Sequence, residues 1–263
     1  MLKRELKVNF KSFLIWFLLI IGIFSVVFLI YPSIASSENI KMMDEMLKIF
    51  PEEILAAFNM DISSLDSAFG WLKSEGFVFI LLLTSCYAGI VGSNIILKEE
   101  NDKTIEYLTS LPITRTKIVL TKTLVGLIYI TSLILGIGIF NYIALSLSGD
   151  FNQKQFLLLS ITPVLPSIVI YFLCMLISTF THKSKKMLGM TLGIVFGSYI
   201  LYMLSTIAEE TEFLKYISVF TLADIRNVIQ NTTINPAMLG ISLILSILLF
   251  CITIIHYNKK ELV

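Results

Sequence analysis

Six long apolar runs constrain this chain more than any other feature of its sequence. They cover residues 13–31, 77–97, 124–147, 156–180, 187–207 and 237–257, and none of them contains Asp, Glu, Lys or Arg. A helix needs roughly 20 apolar residues to cross the hydrocarbon core of a bilayer. A charge at the centre of such a helix costs about 2.5–3.5 kcal/mol on insertion scales. The sequence therefore predicts an all-α integral membrane protein with six transmembrane helices, numbered here as the first to sixth spans.

The composition agrees with this class. Of the 263 residues, 56% are hydrophobic and only 15% are charged, and the mean hydropathy is +0.85. A soluble domain of this length needs more charge than that to cover its surface. The spans are expected to form one transmembrane domain over residues 1–263.

The distribution of basic residues predicts the orientation in the membrane. Of the 20 Lys and Arg residues, 14 lie in the N-terminal stretch, residues 98–123, residues 181–186 and the C-terminal tail, and 6 lie in the alternate loops. Because basic loops stay cytoplasmic, both termini are expected in the cytoplasm and the protein in the cell membrane.

Two polar segments flank the first span. The stretch before it mixes Lys3, Arg4 and Lys7 with apolar residues, which predicts an interfacial amphipathic helix, the alternative being a frayed tail that only sets topology. The outside segment, residues 32–76, carries apolar residues at helical spacing on both sides of Pro51. It could meet substrate, or pack on the membrane surface or a partner subunit.

The cytoplasmic segment between the second and third spans, residues 98–117, includes the sequence KEENDKTIEYLTSLPITR. Asn101 or Asp102 is a candidate helix cap, and Pro112 stops a helix. The sequence thus predicts a short helix over 103–111. Its apolar stripe needs a surface to bury it, because a helix this short is unstable alone in water. The stripe consists of Ile105, Leu108 and Leu111.

This segment resembles the coupling region of ABC-2-type transporter permeases, in which a pattern like E-x-x-x-G-T-L-E-x-L-L-x-x-P-x-x-R lies between the second and third spans. The chain departs from it mildly at Ile105 and Thr109, and more clearly at Lys103, which stands at the usual glycine. The matching residues are Glu99, Thr104, Glu106, Leu108, Pro112 and Arg115, followed by Lys122 at a common basic position. The six spans, the basic start and the outside segment are also similar to that family.

The resemblance implies a permease subunit of type V exporter-like architecture, which couples ATP hydrolysis in another chain to export of an amphipathic or hydrophobic substrate. Antimicrobial peptides, toxins, drugs and lipids are compatible cargoes, so a role in antimicrobial peptide resistance is one expectation. The implied partners are two ABC ATPase subunits, a second permease copy or related permease, and membrane lipid, but no nucleic acid. The sequence contains no G-x-x-x-x-G-K-[ST] phosphate loop. No cofactor, metal or catalytic residue is therefore expected in this chain, and ATP and Mg are expected in the partner. The expected coupling residues are Glu99, Glu100, Thr104, Ile105, Glu106, Leu108, Leu111, Pro112 and Arg115.

Uncharged residues within the spans supply the remaining candidates. Asn94, Thr131, Asn141 and Ser198 are expected to face the translocation path or to join helices, because polar groups are costly against lipid. Gly189, Gly193 and Gly197 repeat at a small-residue spacing and are candidates for a permease interface.

Two other classes compete with this interpretation. Glu99-Glu100 suggests an intramembrane protease motif, but the histidines, His182 and His256, are not placed to hold a metal. An ion-coupled secondary transporter or channel is the stronger alternative, because Pro163 and Pro166 could break the fourth span. A kink whose freed backbone groups find Ser or Thr partners explains the same prolines.

Overall fold

The computed structural model describes residues 1–34, 67–104, 112–181 and 184–260, together with Glu45 and Ile49. Every regular element in this part of the chain is helical. The predicted outside helices and most of the predicted 103–111 helix lie outside the described residues, so those two predictions stay untested.

Six helices are long and apolar enough to cross a membrane, which confirms the predicted class. The first, second and third spans are Leu2–Ile34, Ala68–Asn101 and Arg115–Ser148. The fourth consists of two helices, Gln153–Ile161 and Val164–Thr179. The fifth and sixth are Ser184–Leu204 and Pro236–Lys259. Shorter helices, Glu209–Tyr216, Val219–Ala223 and Ile225–Asn231, join the last two spans.

The first span begins almost at the N-terminus. The predicted amphipathic stretch is continuous with it, since one helix runs from Leu2 to Ile34. Glu5 is buried in this stretch, at 3% exposure, whereas Lys3 and Arg4 are exposed. The basic residues therefore face away from the bundle and the acidic one faces into it.

The fourth span breaks at Thr162 and Pro163, as the prolines predicted. Pro163 has no N–H to offer the carbonyl of Leu159, and the Thr162 hydroxyl donates to that carbonyl instead at 2.9 Å. Pro166 similarly leaves the Thr162 carbonyl free, and the amide of Leu165 donates to it at 3.1 Å. Local groups thus satisfy both freed carbonyls, as expected if the prolines only kink the span.

The second and fourth spans form the centre of the bundle. In their most apolar windows 67% and 61% of the residues are buried, against 11% in the first span and 17% in the fifth and sixth. Gly92 permits their close approach, because a Cβ there would stand 2.3 Å from the carbonyl oxygen of Tyr171. The second span therefore connects the core of the bundle to residues 98–117, the segment that is predicted to be cytoplasmic.

Candidate functional site at the charged base

The second span ends in a backbone motif that fixes how the chain enters the cytoplasmic segment. The amide of Thr104 donates to the carbonyl of Glu99 at 2.9 Å, and that of Lys103 donates to the carbonyl of Glu100 at 3.3 Å. This pair of bonds is a Schellman motif, in which the first residue after the end of the helix takes a left-handed conformation. Lys103 takes that conformation, with φ of 54°. Lys103 stands at the glycine of the family pattern described above, and its left-handed conformation is one that glycine adopts at no steric cost.

A buried ion trio lies beside this helix end. The Lys122 ammonium of the third span is 3.1 Å from a carboxylate oxygen of Glu99 and 3.2 Å from one of Glu5. The three residues are 2%, 6% and 3% exposed. The Thr104 hydroxyl also donates to the Glu99 carboxylate. One lysine therefore joins the first, second and third spans.

A second buried pair lies on another side of the same helix. The Lys260 ammonium, just beyond the sixth span, is 2.7 Å from a carboxylate oxygen of Glu100. It also donates to the carbonyl of Thr181, at the end of the fourth span, at 3.0 Å. Consecutive residues on a helix point about 100° apart, so Glu99 and Glu100 attach the second span to different neighbours.

The third span is held to the same place at its start. Arg115 donates to the carbonyl oxygens of Lys260 and Asn258, at 2.7 and 3.2 Å. Thr114 caps the helix by accepting from the amide of Lys117 at 3.3 Å. Both ends of the cytoplasmic segment are therefore attached to the end of the sixth span. We call the residues Glu5, Glu99, Glu100, Arg115, Lys122 and Lys260 the base cluster.

The structure places the expected coupling residues in two groups. Glu99, Glu100, Thr104 and Arg115 lie in or against the base cluster, and Pro112 is exposed at the far end of the loop. Ile105, Glu106, Leu108 and Leu111 lie outside the described residues. Because Glu99 and Glu100 are buried in ion pairs, their carboxylates contact this chain itself.

The expected polar residues of the spans do not form one site. Asn94 lines a groove at the cytoplasmic end and Asn141 lies near the outer end, where it lines a cavity of about 20 Å³. Ser198 accepts from the amide of Val219 at 2.8 Å, which ties the fifth span to the loop after it. Thr131 is half-buried on the third span. The four residues thus lie in at least two separate regions of the bundle.

The glycine repeat of the fifth span has open space beside it. A Cβ at Gly189, Gly193 or Gly197 would meet nothing within 4 Å in the described part of the chain. These glycines are therefore not needed for packing among the described helices, and the permease interface stays a prediction.

Three members of the base cluster were absent from the residues predicted to act in coupling. Glu5 lies in a stretch whose basic residues predicted only an interfacial helix. Lys122 matched a basic position of the family pattern, but the sequence assigned it no partner. Lys260 lies in the C-terminal tail, which entered only the prediction of orientation. The sequence does contain a signal for these residues. Lysines that flank spans, such as Lys122 and Lys260, are candidates for pairing with Glu99 and Glu100, and an acidic residue in a basic stretch, such as Glu5, is a candidate for the same lysines. Among the described residues no cluster could hold a metal ion.

Six helices that are long and apolar enough to cross a membrane, with a charged base at one end, define a multi-pass membrane protein. A family model described as ABC-2 family transporter protein matches residues 1–262. The chain belongs to that family, and it is a membrane permease of an ABC transporter, a transport subunit that is not itself catalytic. The family implies an ABC ATPase partner in general. Comparison with curated proteins gives no match, and neither does comparison with solved structures.

Proposed function

We propose that this permease couples ATP hydrolysis by a separate ATPase subunit to export of an amphipathic or hydrophobic substrate, and that residues 98–117 carry the coupling. The observation that supports this most is the attachment of that segment at both ends. Glu99 and Glu100 hold its start to Lys122 and Lys260, and Arg115 holds its end to the same tail. A push on the segment would therefore reach the first, second, third and sixth spans through buried contacts.

The uncharged spans support the choice of substrate. The helices that would line a path carry no ionised residue in their apolar runs, so a strongly charged cargo would find no counter-ion there. We propose two permease copies, or two related permeases, with two ATPase subunits, and the glycine face of the fifth span as a contact between permeases. Both termini are placed in the cytoplasm in this arrangement.

The coupling role is tested by co-expressing the chain with an ATP-binding subunit and measuring export and ATP hydrolysis. Deleting residues 103–111, or the substitution Glu106→Lys, should abolish export while the permease still inserts in the membrane. The matched control is Glu212→Lys, which reverses charge at an exposed residue of the loop between the fifth and sixth spans. Undiminished export by the Glu106 variant would remove the segment from the mechanism.

Two further measurements test the assignment of ATP chemistry and of sidedness. The purified permease alone should neither bind nor hydrolyse ATP, and activity in it would contradict a separate ATPase. A cysteine at Glu53, introduced in a Cys251→Ser background because Cys251 is the exposed native cysteine, should react with an impermeant reagent in intact cells. Reaction only after lysis would invert the topology.

A further inference from the structure

Polar side chains from two helices line a groove between the cytoplasmic halves of the first and second spans. Asn9 and Ser12 contribute from the first span, and Asn94 and Lys98 lie one helical turn apart on the second. Polar side chains near a membrane surface can contact water, protein groups or a polar ligand. The groove is therefore a candidate for a polar ligand at the depth of the lipid headgroups.

The groove changes character along its length. Its volume is about 280 Å³, close to the lower end of the roughly 300–1,000 Å³ typical of small-molecule pockets. Ile90, Val91 and Ile95 form its deeper wall, and Lys98 and Asp102 stand at its cytoplasmic end. At 1.5 Å per residue, Val91 is about 16 Å deeper along the helix than Asp102. An apolar inner part and a charged outer part match an amphiphile whose chain lies in the membrane.

The polar end offers mainly acceptors and one cation. The side-chain nitrogen of Asn9 donates to the carbonyl of Glu5, and that of Asn101 donates to the carbonyl of Leu97, both at 2.9 Å. With each amide nitrogen turned to its own helix, the amide oxygens remain to accept from a ligand. The Asp102 carboxylate adds a third acceptor, and Lys98 supplies the positive charge.

Helix stability accounts for only one of the two charges. Within the described part of the chain, neither Lys98 nor Asp102 forms an ion pair. A lysine near a helix C-terminus is stabilised by the helix dipole, whereas an aspartate at the same end is destabilised. Lys98 and Asp102 thus present one charge of each sign at the mouth of the groove, which is what a ligand that carries both signs of charge would need.

We propose that this groove binds a zwitterionic phospholipid with a primary ammonium in its headgroup. Lys98 holds the phosphate, Asp102 and the amide oxygens of Asn9 and Asn101 accept from the ammonium, and an acyl chain lies along Ile90, Val91 and Ile95. The proposal rests on the proposed export function and deepens it by naming a substrate class, taken from the cytoplasmic leaflet. Lys98 directly precedes Glu99, so ligand contact and the base cluster lie on one helix turn.

The test uses the full permease in nanodiscs and photoactivatable phospholipids that share one diazirine-bearing acyl chain. Phosphatidylethanolamine should label the groove more strongly than phosphatidylcholine, whose quaternary ammonium has no N–H, or phosphatidylglycerol, which has no ammonium. Lys98→Gln and Asp102→Asn should each reduce that labelling about tenfold, the effect of losing one charge-assisted hydrogen bond. Lys117→Gln, at an exposed lysine on the same membrane face, is the matched control and should change nothing.

Each alternative has its own result. Equal labelling by the three lipids, unaffected by Lys98→Gln and Asp102→Asn, would identify bulk bilayer lipid and overturn the proposal. Strongest labelling by phosphatidylglycerol would overturn the zwitterionic headgroup. ATP hydrolysis measured with the ATPase subunit separates the two proposals. Coupled hydrolysis without selective labelling rejects the groove alone, and selective labelling without coupling rejects the export function while the groove stands.

Discussion

The two ends of the bundle are held together by different chemistry. At the end that is predicted to be cytoplasmic, buried carboxylates meet buried ammonium groups, with Lys122 between Glu5 and Glu99. At the opposite end, which is predicted to be the outer one, four aromatic rings pack together with centroids 5.5–6.3 Å apart. These rings belong to Phe69, Tyr142, Phe151 and Phe156.

The difference lies in how sharply each end defines its geometry. A buried ion pair keeps its stability only within a narrow range of distance and direction, since each charge has lost its water. Aromatic pairs are favourable in more than one arrangement, and the four rings here pack both tilted and edge-to-face, at about 0.5–1.5 kcal/mol per pair beyond burial. We therefore expect the cytoplasmic end to transmit a displacement and the outer end to adjust to one.

Lys122→Met should have the largest effect. It leaves Glu5 and Glu99 buried without their cation, and breaking a buried pair costs about 3–5 kcal/mol. Folded yield and melting temperature in detergent should both fall steeply. The triple variant E5L/E99L/K122M removes all three charges and should recover most of the stability, because apolar replacement of a buried ion cluster is often neutral. If the triple variant melts as low as Lys122→Met, charge pairing is not what holds this end.

Phe156→Ala should weaken the outer end to a smaller extent. Truncating a buried Phe costs about 3–5 kcal/mol, and Phe156 is 3% exposed, but the neighbouring rings can close part of the cavity. We expect a lower melting temperature with normal membrane insertion, and Phe156→Leu should recover about half of the loss. ATP hydrolysis coupled to the partner subunit should persist in the folded fraction. Loss of coupling at unchanged stability would contradict the division between the two ends.

Glu100→Gln should reduce the coupling of export to ATP hydrolysis more than it reduces the stability of the cytoplasmic end. The amide can still accept from Lys260, and Lys260 keeps its bond to the Thr181 carbonyl, so the loss should be near 1.5–3 kcal/mol, typical of a charged hydrogen bond. Export per ATP hydrolysed should fall more than the melting temperature suggests. The exposed pair of Glu212 and Lys215 offers the control, since Glu212→Gln should alter neither quantity.

Lys103→Gly should have the smallest effect, and it should be stabilising. A left-handed conformation costs a non-glycine residue roughly 1–2 kcal/mol, while glycine's flexibility in the unfolded chain returns part of that. A rise of a few degrees in melting temperature is expected, with export unchanged. A decrease would mean that the Lys103 side chain makes a contact worth more than the backbone strain.

The sequence predicts most of the fold and only part of the site. The spans were readable because hydrophobic length and the absence of charge are local properties of the chain. The break of the fourth span followed from Pro163 for the same reason. The partners of Glu99 and Glu100 could not be predicted, because pairing Glu99 with Lys122, and Glu100 with Lys260, depends on which helices become neighbours. Interpreting Lys103 required both kinds of information, namely the glycine in the family pattern and the positive φ in the structure.

Two ion pairs, Lys260 with Glu100 and Lys122 with Glu5, also bring the two ends of the described chain close together. Glu5 and Lys260 are held, directly or through Lys122, to consecutive residues of the second span. A short linker could therefore join the beginning of the chain to its end on the cytoplasmic side. A circularly permuted permease, opened within residues 35–66 instead, should keep the same six helices and the same charged base.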